Sequence, residues 1–480
     1  MSAPRPADEA PPDAAPTSPP RRRGPSRAAW ALGGGGLALG LVLGGCAGLG
    51  TGALGGVLLA GGAGGGGGSL GDVLERVTGG AGERSVAEAL PDELPRLRAF
   101  VADERGLEWE REVPVRALDA DAFAAALDGE EPGDAPSSGG ARPDEGLEDA
   151  WPAGLDDPGD GRAETYAALG LTPSAATYEE AWSAGDADVL GFYDPEVDEV
   201  VLRGTRWSPL VEETLVHELV HALDAQHVDL DVALDADLPP EAVSAHAAVV
   251  EGDAERVAWA WYDGLDDDQL DAYDDAWERS WDEEAPEDGD ADEGGADDRT
   301  YDGLADALAL FPYEYGYVAV DAVADAQGPG AVTTLLREPL STTEQVLAAR
   351  GVPGASPGLA PGVDVPAPAA PEGAEVLGTG TLGLFPLSLL PLVADAEDEG
   401  YYLEDDVVTT AWAGDTWTTW VDPADDARAC TAVLVRLDDA RGRDDLAEDL
   451  AVWLDDARDV GAALAPVGET DLELRGCGDR

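Results

Sequence analysis

Hydrophobic residues recur with a helical period through the middle of this 480-residue chain. The clearest stripe has the spacing of one face of an α-helix and consists of Val211, Leu215, Leu219, Ala222 and Leu223. Just before it, Ser208 can cap the free backbone N–H groups of a first helical turn, and Pro209 suits the first helical position. The pattern therefore predicts a helix that begins at Ser208–Pro209 and buries this stripe.

Weaker patterns predict the elements around this helix. Two runs of β-forming residues, VLGFYD and EVVLRG, are separated by the turn residues Asp194 and Pro195 and predict two short strands. Further helices are predicted at 240–262, ending near Gly264, and at 301–310 and 317–326. The mixture predicts an α+β chain, mainly helical with a small sheet, that closes with a small α/β domain.

Changes in composition divide the chain into seven segments. They are a disordered Pro/Arg-rich tail (1–27), a Gly-rich hydrophobic membrane anchor or signal (28–70), a helical lead segment (72–128), an acidic Gly/Pro linker (129–162), a main domain (163–350), a Pro-rich linker (351–371) and a C-terminal α/β domain (372–480). The Pro-rich stretch at 351–371 is predicted to link the main and C-terminal domains. An acidic loop is also expected at 282–298.

The segment 28–70 predicts an attachment to the membrane. Between Ala28 and Leu70 no residue is charged, and the apolar stretch is longer than the roughly 20 residues that a membrane helix needs. Arginines precede it and acidic residues follow it, which predicts a cytoplasmic tail and an extracytoplasmic body at the cell membrane. A flexible Gly-rich linker is the alternative, because glycine lowers helix stability.

The three cysteines bear on the same question. Cys430 and Cys477 can form a disulfide outside the cytoplasm. Cys46 ends the sequence Leu43-Gly44-Gly45-Cys46, which resembles the cleavage box of bacterial lipoproteins, where the cysteine is lipidated. Since the apolar run continues beyond Cys46, the sequence favours an uncleaved single-pass anchor, with a lipid anchor on Cys46 as the alternative.

Net charge excludes one class of partner. Asp and Glu number 100 against 28 Lys and Arg, so the formal net charge is -72. Such a chain and a nucleic acid repel each other. We therefore expect no nucleic-acid partner.

The residues that point to chemistry lie among four histidines, all between positions 217 and 246. His217-Glu218-Leu219-Val220-His221 is an HExxH motif within the predicted helix. Residues four apart project from the same helix face, so both imidazoles can bind one tetrahedral Zn²⁺. Glu218 projects from the adjoining flank and can take a proton from a metal-activated water molecule. The motif predicts a zinc site with Glu218 as general base.

Two residues are candidates for the third metal ligand. His227 stands at the metzincin spacing, but metzincins have glycine where this chain has Asp224. If the helix continues through His227, that imidazole lies about 9 Å along the axis from His221 and faces away. Glu251 follows an apolar run on the next predicted helix, and Glu255 lies one turn further on. The sequence favours Glu251 as the ligand. The pair Glu251 and Glu255 also resembles gluzincins, and that resemblance implies that Glu255 orients a ligating histidine.

These motifs also carry a resemblance. HELVHALDAQHVDL followed by VVEGDAERV resembles a group of bacterial and archaeal zincin-like surface proteins, and GFYDPEVDEVVLRG, FPYEYGY and PLSTTEQVL are similar to segments of that group. The resemblance covers about 187–347 and is of the gluzincin type, in which a glutamate on a second helix completes the zinc site. It implies a zincin-like metallopeptidase domain at 163–350, with an extended polypeptide substrate bound along an edge strand above the zinc helix.

The expected function is that of a membrane-tethered, extracytoplasmic zinc metallopeptidase, with His217, His221 and Glu251 as metal ligands. Three further residues are candidate donors to an oxyanion: Tyr313, Tyr315 and His246. Tyrosines in a segment such as FPYEYGY are more typical of packed aromatic residues. The alternative function is a non-catalytic cell-surface binding or scaffold protein with a structural or relic zinc site.

Overall fold

The computed structural model describes residues 45–46, 84–127, 160–184, 189–195, 197–230, 238–282, 299–338, 340–349, 363–392 and 411–480. No helix among these residues is long and apolar enough to cross a membrane. The predicted tail at 1–27, and the predicted anchor at 28–70 apart from residues 45–46, lie outside them. So do residues 129–159 of the first predicted linker (129–162), residues 351–362 of the second (351–371) and residues 283–298 of the predicted acidic loop (282–298).

Helices surround two β-sheets, which confirms the mixture of helix and strand predicted from the sequence. The helices are α1 (Val86–Arg105), α2 (Ala120–Leu127), α3 (Arg162–Leu169), α4 (Ala175–Ala184), α5 (Pro209–Asp224), α6 (Pro240–Asp263), α7 (Asp267–Asp282), α8 (Arg299–Gln327), α9 (Pro329–Arg337), α10 (Thr343–Ala349), α11 (Leu384–Leu389) and α12 (Ala440–Asp456). The strands are β1 (Gly45–Cys46), β2 (Val115–Leu118), β3 (Gly191–Asp194), β4 (Glu199–Arg203), β5 (Val376–Gly380), β6 (Trp412–Asp422), β7 (Asp425–Leu437), β8 (Ala463–Val467) and β9 (Asp471–Asp479).

The first sheet has the strand order β1-β3-β4-β2. The antiparallel pair β3 and β4 forms the two strands predicted around Asp194, with Phe192 opposite Val201. Strand β2 runs parallel to β4 and belongs to the lead segment, which was predicted to be helical. Its sequence, VRAL, is short and does not alternate between apolar and polar residues, so it gives no strand signal.

The second sheet is antiparallel, with the order β5-β6-β7-β9-β8. Its strands β7 and β9 place Cys430 directly opposite Cys477, and the two form a disulfide. Helix α3 packs against these strands, and the indole N–H of Trp453 in α12 donates to the carbonyl of Leu169 at 2.8 Å. The start of the predicted main domain therefore packs on the C-terminal sheet.

Helices α5 and α6 pack together and begin where the sequence predicts. The Ser208 hydroxyl accepts a hydrogen bond from the N–H of Val211, and Pro209 takes the first helical position of α5. Pro240 likewise takes the first helical position of α6, which has no side-chain cap, and Gly264 is the residue that follows its last helical residue, Asp263. Local signals, a serine cap for α5 and proline at the first helical position of both helices, therefore agree with where they begin.

Helix α8 differs from its prediction. The sequence predicted two helical segments separated by FPYEYGY, whereas the structure has one helix that continues through Pro312. This helix packs along α6, and the two backbones come close at Gly252, which faces Gly316, and at Gly316, which faces Ala248. A Cβ atom on either glycine would overlap the backbone of the opposite helix. Packing against α6 thus outweighs the helix-breaking tendency of proline.

Gly252→Ala is expected to destabilise the folded protein by about 1–3 kcal/mol, the usual cost of overpacking. The added methyl group meets backbone atoms of α8, which cannot move aside as a flexible side chain can. Urea unfolding followed by circular dichroism measures the change. Gly330→Ala in α9 is the control, because a Cβ there meets no atom within 4 Å, and we expect no loss of stability. Equal stability of both variants would contradict the close contact.

Candidate metal centre

Three donor atoms converge between α5 and α6. The Nε2 atoms of His217 and His221 are 3.0 Å apart. Glu251 Oε2 lies 3.2 Å from the first and 3.3 Å from the second. His217 and His221 are one turn apart on α5, and Glu251 projects from the facing side of α6. The structure therefore brings together the two histidines and the glutamate that the sequence favoured.

The chemistry of these donors fits a bound metal ion. Two atoms that each lie 2.0–2.1 Å from a tetrahedral metal are about 3.3 Å apart, close to all three separations. Burial opposes a positive charge on His217, but Glu251 and Glu255 hold the pKa of its imidazole well above the usual range. The cluster thus favours a cation, and His217, His221 and Glu251 can hold a metal ion.

Glu255 orients one of the histidines. Its Oε1 atom lies 3.2 Å from Nδ1 of His217, and neither atom is hydrogen-bonded to any other described residue. A carboxylate at this position keeps the proton on Nδ1 and leaves Nε2 free to bind metal. It is the Nε2 atom of His217 that faces the other two donors. The geometry matches the orienting function predicted for Glu255.

Glu218 lies beside the cluster and is completely buried. Neither of its carboxyl oxygens forms a hydrogen bond with the described residues, although the backbone N–H of Tyr193 in β3 approaches it. Burial raises the pKa of Glu218 to about 8; His217 opposes this shift and Glu251 adds to it. A buried carboxyl group without a hydrogen bond destabilises the folded protein. Glu218 is therefore better explained by a function than by a contribution to stability.

Glu213 is a buried carboxyl group that the sequence analysis did not single out. It lies one turn before His217 on α5, and it accepts a hydrogen bond from the Tyr273 hydroxyl at 2.7 Å. Burial raises the pKa of Glu213 to about 8, Tyr273 lowers it, and the charge of Glu255 raises it further. The signal that would have found Glu213 is its position four residues before His217, on the same helix face.

The three candidate oxyanion donors lie in different surroundings. The ring of Tyr313 is buried with its centroid 6.3 Å from that of His217, so it borders the metal centre. Tyr315 packs in an apolar cluster, against Phe311 and Phe385. His246 is buried on α6, and burial lowers its pKa to about 4. Of the three, Tyr313 is the residue that the structure brings to the histidine pair.

The alternative ligand His227 points elsewhere. Helix α5 ends at Asp224, so the premise that the helix continues through His227 is wrong. The end is fixed by tertiary contacts, since the Gln226 side chain accepts hydrogen bonds from two backbone N–H groups of the lead segment. His227 Nε2 lies 2.9 Å from the carbonyl oxygen of Glu108, away from the three converging donors. His227 is therefore held by the lead segment.

Comparison with protein-family models, with curated proteins and with solved structures gives no match for this chain. The site itself consists of two imidazoles and a carboxylate from two packed helices, with an unpaired glutamate beside them.

Proposed function

We propose that the protein is a zinc-dependent metallopeptidase that hydrolyses peptide bonds. The observation that carries the proposal is the convergence of His217, His221 and Glu251 next to the unpaired Glu218. Three protein ligands of this kind are typical of catalytic zinc sites, which keep a fourth position for water or substrate. The resemblance of the two motifs to gluzincin-type proteins supports the same function and a zincin-like fold for the domain.

The residues of the site have separate tasks in this proposal. When bound, zinc supplies a Lewis acid that activates water near neutral pH and polarises the peptide carbonyl group. Glu218, as a carboxylate, accepts a proton from the attacking water and delivers it to the departing amine nitrogen. Glu255 keeps Nδ1 of His217 protonated and so fixes the orientation of that ligand.

We also propose that the protein acts outside the cytoplasm, tethered to the membrane through 28–70. The Cys430–Cys477 disulfide supports this location, because disulfides persist in oxidising compartments. The uncharged apolar segment supports the tether, with lipidation of Cys46 as the alternative form of attachment. The substrate is an extended polypeptide, as the resemblance implies.

A structural zinc site in a cell-surface binding protein is the second candidate. Burial favours it, since His217, His221 and Glu251 are at most 6 % exposed. A peptidase has to admit a polypeptide to its metal, whereas a structural site can stay closed. Glu218 favours the peptidase, because a structural site has no use for an unpaired buried carboxyl group next to its ligands.

Metal analysis of the chain purified without chelators tests the proposal. We expect about one zinc ion per chain, as a single three-ligand site requires. We also expect cleavage of a broad peptide library that stops on zinc removal and returns on zinc addition. The His217→Ala His221→Ala variant is the control and should bind no zinc. A metal-free wild type contradicts the proposal, and a zinc-loaded chain that cleaves nothing favours the structural site.

A further inference from the structure

One fully buried arginine joins the two helices that carry the metal ligands. Arg105 is the last residue of α1, and the left-handed Gly106, with φ 64°, turns the chain away after it. Its Nη2 atom lies 2.6 Å from Asp224 Oδ1 on α5. Its Nε atom lies 2.6 Å from Asp253 Oδ2 on α6. The contact with Asp224 is a hydrogen bond, and the contact with Asp253 is an ion pair without hydrogen-bond geometry. A single guanidinium group therefore contacts both helices at the same time.

The two aspartates are close neighbours of the metal ligands along their helices. Asp224 lies three residues after His221, about 4.5 Å along the axis of α5. Asp253 lies between Glu251 and Glu255, about 3 Å along the axis of α6 from each. Because helices are stiff over such distances, the spacing at Arg105 is transmitted to the donor atoms. Metal ligation tolerates only about 0.2 Å of change in its distances.

The charges of this cluster are balanced. Asp253 Oδ1 also accepts hydrogen bonds from Nε and Nη2 of Arg256, at 3.3 Å and 3.2 Å. Two arginines thus face two aspartates. Burial opposes the positive charge of Arg105, but the carboxylates of Asp224 and Asp253 hold the pKa of its guanidinium group above the usual range. Buried ion pairs add little stability compared with apolar residues of similar size. The geometry of these pairs bears more on position than on stability, because a planar guanidinium group restricts where its carboxylate partners can lie.

We propose that Arg105 is a positioning residue for the metal centre, which holds α5 and α6 at the spacing where their three donors meet on one ion. The proposal rests on the metal-binding part of the proposed function and does not depend on peptide hydrolysis. It also gives Asp224 a function: the residue that stands where metzincins have glycine is here the anchor of α5.

Arg105→Lys tests this proposal, because lysine keeps the positive charge and loses the planar two-sided contact. Zinc affinity is measured by competition with a chromophoric chelator, and the coordination geometry by the visible absorption of the Co²⁺-loaded chain. We expect a dissociation constant roughly 10–100-fold higher than that of wild type, as for other residues that orient metal ligands, and a changed Co²⁺ spectrum. Arg436→Lys is the control, since Arg436 forms a similar two-sided pair with Asp471 in the second sheet. It should bind both ions as wild type does.

A second variant tests the same proposal if the Arg105→Lys chain does not fold. Arg105→Met combined with Asp224→Asn removes one positive and one negative charge and leaves the Asp253–Arg256 pair intact. We expect a folded chain with weakened zinc binding and an altered Co²⁺ spectrum. Wild-type affinity and spectrum in either folded variant would show that Arg105 only stabilises the fold, and would overturn the proposal. A wild type that binds zinc and cleaves nothing would contradict the peptidase and leave this proposal standing.

Discussion

Glu251→Ala is expected to weaken zinc binding by roughly 100- to 1,000-fold. Structural sites bind zinc through four protein ligands with about 10–16 kcal/mol, or roughly 2.5–4 kcal/mol for each ligand, and this variant loses one ligand. Glu251 is the only donor that α6 contributes among the three converging atoms, so its loss also releases that helix from the ion. Zinc titration against a chelator of known affinity measures the change.

Two further variants separate a ligand from its neighbours. Glu255→Ala should weaken zinc binding less, by about 10–100-fold, because Glu255 acts through the orientation of His217. His227→Ala should leave zinc affinity unchanged, since His227 is bound to the lead segment. If His227→Ala lost the metal while Glu251→Ala retained it, the assignment of the third ligand would be wrong.

Glu218→Gln is expected to lower the rate of peptide hydrolysis by about 10²–10⁴-fold, the usual contribution of a general base. Zinc content and melting temperature should stay near those of wild type. Glutamine has the same size, and the buried Glu218 carboxyl group has no hydrogen bond to lose. Initial rates on a quenched peptide library, with zinc analysis of the same samples, measure both effects.

Glu344→Gln is the matched control for this experiment. Glu344 is also a buried glutamate with an oxygen that lacks a hydrogen-bond partner among the described residues, but it lies on α10 and offers no ligand to the metal centre. We expect it to leave hydrolysis unchanged. Equal activity of Glu218→Gln and wild type would exclude Glu218 as the base. If wild type and variant were both inactive while binding zinc, the structural site would be the better interpretation.

The helices and strands that the sequence predicts correctly are those determined by residues within or next to them. Ser208, Pro209 and the apolar stripe are enough to place α5, and Pro240 and Gly264 bound α6. Strands β3 and β4 follow from β-forming residues on either side of a turn. Strand β2 was missed because its partner β4 lies far away in the sequence and its own residues do not alternate.

The same distinction applies to the candidate site. His217 and His221 lie about one turn apart on α5, with Glu218 between them, and Glu251 and Glu255 have the same spacing on α6. Their convergence follows once the two helices pack. The contact of Arg105 was not predicted, because Arg105 and Asp224 are 119 residues apart in the sequence and no local sequence pattern indicates such a contact. The continuity of α8 through Pro312 escaped prediction for the same reason, since it depends on packing against α6.

The contact between Gly252 and Gly316 has a consequence for the divergence of related chains. A side chain at either position meets backbone rather than another side chain, so no smaller residue at the opposite position can make room for it. The two positions therefore cannot compensate for each other, and each must stay glycine for as long as α6 keeps its distance from α8. A chain that has lost either glycine must have changed the spacing between α6, which carries Glu251, and α8. The glycine pair is thus a marker, readable in sequence alone, of chains that retain this helix spacing.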